Sequence, residues 1–555
     1  MNILGISAFY HDSSACLFKD GELVFACEEE KFTGIKHDSS FPTRTINHIL
    51  EHYNLTYDDI DMVCYYEDLD LKLQRVLSNV KKNFFKDPKY CYKSIVKFFE
   101  NKKKLKKSLE PFKGRVFFSE HHLSHQYYSF YSSEFKNAIC LSIDGVGEID
   151  TLTYGIANEK EITYYSLGQY PHSLGLYYSC MTSFLGFKPN EGEYKLMGLA
   201  PYGNPDSYIE KIRELVKFKD GKLSCNMDFF SWDRSDKLMF GEKLMDHLSM
   251  NPRMTEESIT QDHKNLAAAV QLRYEEVLFD VINELGNLKI KNLCLGGGSA
   301  YNGTANGKIV SNSEFTKIWI PLAPSDAGSC IGAVLNYLGK NNMIVNRVSK
   351  NPFLGPEYDS EIFIKNLKNY DVEKIDYPQN LYEKVAKEIH DGKIVGWYRG
   401  RIEFGARALG NRSILADPTK PDMKSRINRV IKKREGFRPF APMVIKEQQK
   451  KYFNVIDDVP YMNQIVKVKK KYEKKLTAVV HVDNTSRIQT VTKDNTIYDL
   501  LLEFEKLSKV PVLLNTSFNV KDKTMVLTPQ DAVDTFEDTE LDLLVIDNYI
   551  IKKRL

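Results

Sequence analysis

The strongest constraint on the fold is a pattern that occurs twice. NILGISAF followed by SACLFKDGELVFACEEE reads as strand, tight turn at Asp20-Gly21, strand. Residues 137–168, NAICLSIDGVGEIDTLTYGIANEKEITYYSLG, restate it with an apolar strand, an Asp144-Gly145 turn and a Thr/Tyr-rich strand. Two such units, each ahead of helical segments, predict two similar α/β lobes that face each other across a nucleotide-sized cleft.

Helical spacing follows in NLAAAVQLRYEEVLFDVINEL, residues 265–285, where apolar residues recur at three and four. KNLCLGGGSAYNGTANGKI then reads as a short buried strand, a triple-glycine turn and a polar helix start, so backbone amides can approach a ligand there. It is not a phosphate-binding loop, because the residue five before Gly307 is Asn302. A turn-rich passage at 339–360 marks a boundary. The expected division is residues 1–350, a linker at 351–375, and a second α/β domain at 376–555 whose polar turns are dominated by arginine.

Composition narrows the function classes. Lys+Arg of 77 against Asp+Glu of 74 leaves +3, too balanced to predict a nucleic-acid partner. The Lys-rich runs at 101–110 and 467–476 read as solvated faces. Nine cysteines, with no C-x-x-C pair and none after Cys330, argue against zinc knuckles and a disulfide framework. The N-terminal stretch resembles no secretory leader and no segment runs 18 apolar residues, so the expectation is a cytoplasmic protein with no membrane partner.

SEHHLSHQYYS, residues 119–129, gathers three of the twelve histidines. The bland reading is a polar helix face. The sharper one notes that His121 and His125, spaced i,i+4, stand about 6 Å apart on one helix face, within reach of one metal ion, while His122 points elsewhere. Asp144 ends an apolar strand and Asp326 begins a Gly/Ala-rich helix. Two imidazoles and two carboxylates would suit Fe(II), Mn(II) or Zn(II); the alternative is that Asp144 makes its turn and Asp326 caps its helix.

Eight ordered segments, HHLSH, SIDGVGE, GEYKLMGLAPYG, GGGSAYNGTAN, EFGARALGNRSILADP, REGFRPFAPM, HVDNTSRIQTV and LNTSFNV, resemble the NodU/CmcH-type O-carbamoyltransferases that decorate antibiotics and nodulation factors. The resemblance implies a duplicated actin-like ATPase lobe pair with a metal site, followed by a YrdC-like α/β domain. It implies that His121, His125, Asp144 and Asp326 hold iron, with zinc or manganese as alternatives. The implied reaction has two steps: carbamoyl phosphate and Mg-ATP give carbamoyl adenylate in the C-terminal domain, then the carbamoyl group passes to a hydroxyl of a small-molecule or glycan acceptor. A homodimer is compatible with this reading.

For the first step, Lys432, Arg434, Arg438, Arg401, Arg407, Arg412 and Arg487 are the cations available to offset polyanion repulsion, with Lys432 and Arg487 expected on carbamoyl phosphate. Asn515 and Ser517 are candidate donors to nucleotide or phosphate. For the second, Gly297, Gly298, Asn302, Asn306, Glu193 and Lys195 are expected to line the adenylate cleft, and His11 to contact the acceptor hydroxyl or take its proton. Lys36 is carried with His11, Lys432 and Arg487 as a candidate catalytic residue; Lys36 and His37 are retained in a stretch where the family has arginines at the positions of Lys31 and Gly34, so the expectation is a different acceptor recognition with the same chemistry. A second departure is the basic turn at 521–523. Two other readings are a threonylcarbamoyl transferase acting on tRNA and a sugar-kinase-like ATPase with a structural histidine cluster.

Overall fold

The computed structural model describes residues 1–235 and 238–554. Two units emerge: Met1–Val24 with Ser39–Ser349, and Phe25–Asp38 with Lys350–Leu555. Residues 351–375, expected as a linker, carry a helix at Glu361–Lys365 and an edge strand of the second unit at Tyr370–Lys374. Among the described residues, no helix is long and apolar enough to cross a membrane.

The first unit contains the predicted duplication. One sheet comprises β1 (Asn2–Ser7), β2 (Ser14–Lys19), β3 (Glu22–Glu28), β4 (Met62–Tyr65) and β5 (Val116–Phe118), in the order β3-β2-β1-β4-β5. The other comprises β6 (Asn137–Ile143), β7 (Asp150–Asn158), β8 (Ile162–Gln169), β11 (Asn292–Gly296) and β12 (Lys317–Trp319), in the order β8-β7-β6-β11-β12, after a small ribbon of β9 (Val216–Lys219) and β10 (Lys222–Cys225) is set aside. The orders match position for position. In both, the first strand pairs antiparallel with the second and parallel with the fourth, which pairs parallel with the fifth. This is the lobe pair expected of an actin-like ATPase fold.

The repeat is offset from its sequence signature. Asp20 and Gly21 take φ of 52° and 84°, as a two-residue hairpin turn between β2 and β3 requires. Asp144 instead opens the wider β6–β7 loop at 144–149. Strand for strand, that loop corresponds to the β1–β2 loop at 8–13, which carries His11.

Five helices of the first unit matter here: α1 (Leu69–Asn83), α2 (Pro88–Leu109), α3 (His121–Tyr131), α4 (Gln261–Gly286) and α5 (Asp326–Lys340). All eleven residues of α3 are buried despite its polar sequence. Some of its polar atoms are paired with neighbouring segments: Gln126 Nε2 donates to Thr153 Oγ1 at 3.0 Å and Ser124 Oγ to Ser119 Oγ at 2.8 Å. A Cβ at Gly332 would lie 1.8 Å from Ser124 O, so only glycine there allows α5 to cross α3 in contact. That crossing brings the start of α5 to the histidines.

The second unit is built on an eight-stranded mixed sheet with strand order Tyr370–Lys374, Tyr549–Lys553, Leu543–Ile546, Val395–Tyr398, Arg412–Ala416, Val512–Ser517, Ala441–Ile445, Gln489–Val491. Side chains alternate between two cores: Ile414, Val512 and Leu514 enter one, Leu415 and Leu513 the other. Helices Pro378–His390 and Ile497–Ser508 cover the second core through Leu381, Val385, Leu501 and Phe504. Period-two burial on both faces follows from runs such as VLLN and SILA.

Candidate functional site

The end of β6, the second residue row of α3 and the first turn of α5 converge on one point. Donor atoms of His121, His125, Asp144 and Asp326 all lie within 4.8 Å of one another, and all four residues are buried. Asp144 Oδ2 is 3.0 Å from His121 Nε2 and 3.1 Å from His125 Nε2; the two Nε2 atoms are 3.0 Å apart. Asp326 Oδ1 lies 3.6 Å from each. The imidazole centroids are 4.6 Å apart, closer than helix spacing alone predicts, because both rings lean toward Asp144.

Burial alone would lower the pKa of His121; the carboxylates of Asp326 and Asp144 outweigh it and raise it to about 9. Burial raises Asp144, but hydrogen bonds to His121 and His125 pull it well below the usual carboxylate range. His122 points away, its Nδ1 2.9 Å from Thr153 Oγ1, and burial holds the ring neutral.

These residues fit a metal ion. Both oxygens of Asp326 are buried and, among the described residues, have no hydrogen-bond partner, a costly state for a carboxylate that a cation would relieve. Asp326 does not cap its helix; it is the first residue after Ser325. His125 Nδ1 is 3.2 Å from Ser329 Oγ, which orients the ring with Nε2 toward the cluster.

Several neighbours complete the wall. His11 Nε2 is 3.9 Å from Asp326 Oδ2 and its Nδ1 2.9 Å from Asp12 Oδ2. Burial lowers its pKa, and Asp326 and Asp12 more than reverse this, to about 10; a cation on Asp326 opposes that shift. Gly297, at φ of 86°, carries a Cβ position 2.2 Å from Ile143 O, and a Cβ at Gly298 would sit 3.2 Å from Asp144 Oδ1. The triple-glycine turn therefore presses against the Asp144 strand end as no larger residue can.

Other residues expected in the cleft have structural partners. Asn302 exchanges hydrogen bonds with Gln271, at 3.1 Å in each direction, and Asn306 Nδ2 donates to Ala300 O at 2.7 Å. Glu193 accepts from Ser179 Oγ at 2.6 Å and from Asn190 N–H at 2.9 Å. Lys195 Nζ lies 5.7 Å over the Phe187 ring. Glu148, unnoticed in the sequence although it lies in GVGE, is buried and accepts the N–H groups of His121 at 2.9 Å and Asp68 at 2.6 Å. Burial raises its pKa to about 7.

In the second unit Lys432 is the centre. Its Nζ donates to Asn519 Oδ1 at 2.7 Å, Asn519 O at 2.9 Å and Ser517 O, with Ser517 Oγ at 3.3 Å. Burial, then Arg434, Arg438 and Lys36, hold its pKa well below the usual lysine range. Lys36 thus faces the same cationic group; its segment, expected beside the transfer site, is part of the second unit. There Lys31 is buried against Glu30 at 2.8 Å, and Glu28 Oε1 accepts from Gly405 N–H at 2.8 Å.

The arginines divide. Arg412 is fully buried, donates to Arg399 O at 2.6 Å and Gly400 O at 2.9 Å, and stacks 3.6 Å from the Tyr398 ring centroid. Arg401 donates from Nε to Gly355 O at 2.8 Å. Both serve the backbone, where phosphate contacts were expected. Arg434 Nε bonds Asn428 Oδ1 at 2.7 Å, and Arg438 lies 3.6 Å from Glu435. Arg407 is half-buried in a loop tied by Glu403 Oε1, which accepts from Leu409, Asn411 and Arg412 N–H groups at 2.7, 2.9 and 3.2 Å. Asn515 Nδ2 donates to Ala408 O at 2.9 Å and pins the same loop. Arg487 lies opposite Ile465 in a separate ribbon.

Residues 2–335 match the family model described as Carbamoyltransferase N-terminus, and residues 386–553 the one described as Carbamoyltransferase C-terminus. The chain belongs to the carbamoyltransferase family. Over its full length it is 38% identical to Uncharacterized protein sll1178 of Synechocystis sp., covering 97% of that protein. It is 35% identical to Nodulation protein NolNO of Sinorhizobium fredii, over 99% of this chain and 80% of that one. Nodulation protein NolO of Bradyrhizobium diazoefficiens is 34% identical, over 78% of this chain and 79% of the relative. As a carbamoyltransferase the chain handles a carbamoyl donor and an acceptor, and the buried His/Asp cluster lies within the N-terminal family match.

Proposed function

We propose that this carbamoyltransferase is an ATP-dependent O-carbamoyltransferase working in two steps, one in each unit. The observation that carries the reading is the tetrad of His121, His125, Asp144 and Asp326, with a carboxylate that lacks any hydrogen-bond donor.

In the second unit, Lys432, Arg434, Arg438 and Lys36 gather positive charge where carbamoyl phosphate and the ATP phosphates would repel one another. Water cleaves the bond between the phosphorus and the carbamoyl oxygen of carbamoyl phosphate, releasing inorganic phosphate and carbamate; a carbamate oxygen then attacks the α-phosphorus of ATP, and the new O–P bond forms as pyrophosphate leaves, giving carbamoyl adenylate. Arg487 and Arg407, with Ser517 beside Lys432, are assigned to phosphate contacts.

In the first unit, the acceptor oxygen bonds to the carbamoyl carbon, the hydroxyl proton is released, and the bond from that carbon to the adenylate phosphate breaks with loss of AMP. His121, His125, Asp144 and Asp326 would hold the metal, iron by resemblance, which when bound supplies Lewis-acid stabilisation of developing negative charge. Gly297 and Gly298 let the backbone approach the adenylate, and His11 faces Asp326 where an acceptor hydroxyl would enter. Burial of all four ligand residues limits water, which protects an activated carbamoyl group from hydrolysis.

The test uses purified protein with ATP, carbamoyl phosphate and Fe(II), read by mass spectrometry for carbamoyl adenylate and pyrophosphate, alongside Arg487→Ala. Adenylate from the wild type and none from the variant supports the first half-reaction. No adenylate or pyrophosphate with Fe(II), Mn(II) or Zn(II) would sink the two-step reading and make the sugar-kinase-like ATPase reading the one to test.

A further inference from the structure

Between β4 and β5 the first unit inserts a helical hairpin, α1 and α2, whose charge differs from that of the rest of the chain. Residues 69–115 carry 15 Lys and Arg against 4 Asp and Glu, a net +11, whereas the whole chain nets +3 and the remainder is therefore net −8. Of the 15 cations, 13 are lysine.

Helix α2 buries one stripe, Cys91, Phe98, Leu105 and Leu109. Its opposite face exposes Lys89, Tyr92, Lys93, Lys97, Phe99 and Lys103, residues that recur at three- and four-residue spacing. At the tip, between the helices, Phe84 is 49% and Phe85 95% exposed, flanked by exposed Lys81, Lys82 and Lys86. Phenyl rings held in water at an exposed tip are costly unless something covers them.

We propose that this hairpin docks the enzyme on an anionic lipid surface, with Phe84 and Phe85 entering the headgroup layer and the lysines facing anionic headgroups. Lysine-rich charge with an aromatic tip matches interfacial binding, in which apolar burial adds to diffuse attraction. Phosphate recognition in nucleic acids favours arginine forks, and 13 of the 15 cations here are lysine. The hairpin is firmly mounted. Asn79 and Asn83 both donate to Asp233 O, at 2.8 and 3.1 Å, and Arg75 donates to Gly147 O at 2.9 Å in the loop that carries Asp144. From Arg75 to the tip is on the order of 15 Å of helix. This inference does not depend on the two-step reaction.

The experiment is sedimentation of the full chain with phosphatidylcholine vesicles, with and without roughly one-third phosphatidylglycerol. The expected result is binding to the anionic vesicles that weakens with salt, falls about fivefold for each of Lys81→Gln, Lys86→Gln and Lys89→Gln, and falls further in Phe84→Ser/Phe85→Ser. Thermal melts check that each variant folds; should the phenylalanine variant aggregate, the lysine series carries the test. Equal binding to neutral and anionic vesicles overturns the proposal, as does failure to bind either at low salt. It is equally overturned if the chain ignores vesicles but binds a single-stranded oligonucleotide through the same lysines, or forms a dimer that the phenylalanine variant abolishes.

Discussion

In the first unit two imidazoles and two carboxylates converge within 4.8 Å, and among the described residues no group donates a hydrogen bond to the Asp326 carboxylate. In the second, Lys432 Nζ is surrounded by oxygens of Ser517 and Asn519, and Arg412 and Arg401 donate to backbone carbonyls. One buried carboxylate lacks hydrogen bonds in one region, while the buried cations of the other are extensively bonded. Ligands that meet only one another at a rigid crossing suit a resident cation, whose affinity compensates for the repulsion of the two carboxylates and the desolvation of the group. A paired lysine suits a transient anion, because the pocket must stay folded between turnovers. Residue type alone does not separate these cases; what a side chain's donors are already bonded to does.

The sharpest way to break this comparison is Asp326→Ala. The variant is expected to lose stoichiometric metal, measured by elemental analysis, and about a thousandfold in transfer rate, while adenylate and pyrophosphate formation in the second unit continues. Among the described residues neither oxygen of Asp326 has a hydrogen-bond partner, and its ion pairs with His121 and His125 are long, at 3.6 Å, so the variant should melt within a few degrees of metal-stripped wild type. A much lower melting temperature would mean that the carboxylate has a structural role.

Next come the arginines. Arg412→Ala removes a guanidinium that satisfies buried carbonyls and stacks on Tyr398, and should cost about 3 kcal/mol in denaturant unfolding. Arg434→Ala should leave stability nearly unchanged and raise the KM for the donor about tenfold. The reverse pattern would exchange their assignments.

Much of this was legible in the chain. The duplication showed in two strand-turn-strand runs, and the tetrad in an i,i+4 histidine pair plus carboxylates at a strand end and a helix start, all local signals. The offset of the repeat was hidden because Asp-Gly serves a tight turn at Asp20 and a wide loop at Asp144, and a dipeptide does not encode loop length. The roles of Asn302, Asn515 and Arg412 were hidden for another reason. Their partners, Gln271, Ala408 and Arg399, lie at sequence separations of 31, 107 and 13, and only the fold brings them together. Segment 25–38 joins the second unit across more than 300 residues, which no composition shift announces.

A pH experiment sharpens the second half of the comparison. Burial and neighbouring cations depress the pKa of Lys432, so the free pocket favours the neutral amine more than water does. A bound phosphate dianion pulls the pKa back up, and binding therefore takes up a proton between the free and bound values. Donor affinity should fall as pH rises through that window, by up to about tenfold per pH unit, with proton uptake visible by calorimetry in buffers of different ionisation enthalpy. For the same reason, stability without donor should rise with pH between the depressed value and the ordinary lysine range, where the unfolded chain holds the extra proton. Lys432→Met should abolish both trends; if the wild type shows neither, Lys432 stays charged throughout through its four oxygen contacts.

The smallest effect is expected inside HHLSH itself. His122 is as buried as its neighbours, yet its Nδ1 meets Thr153 and its ring faces away from Asp326. Asn in its place can keep a polar contact with Thr153 but loses ring packing, at a cost of about 1–2 kcal/mol. Metal content should not change, because none of the four converging donor atoms belongs to His122. His125→Asn, a change of the same chemistry three residues away, should remove the metal. If both variants lose it, the helix acts as one folded unit whose disturbance anywhere empties the site, and the division of the motif into ligands and packing residue fails.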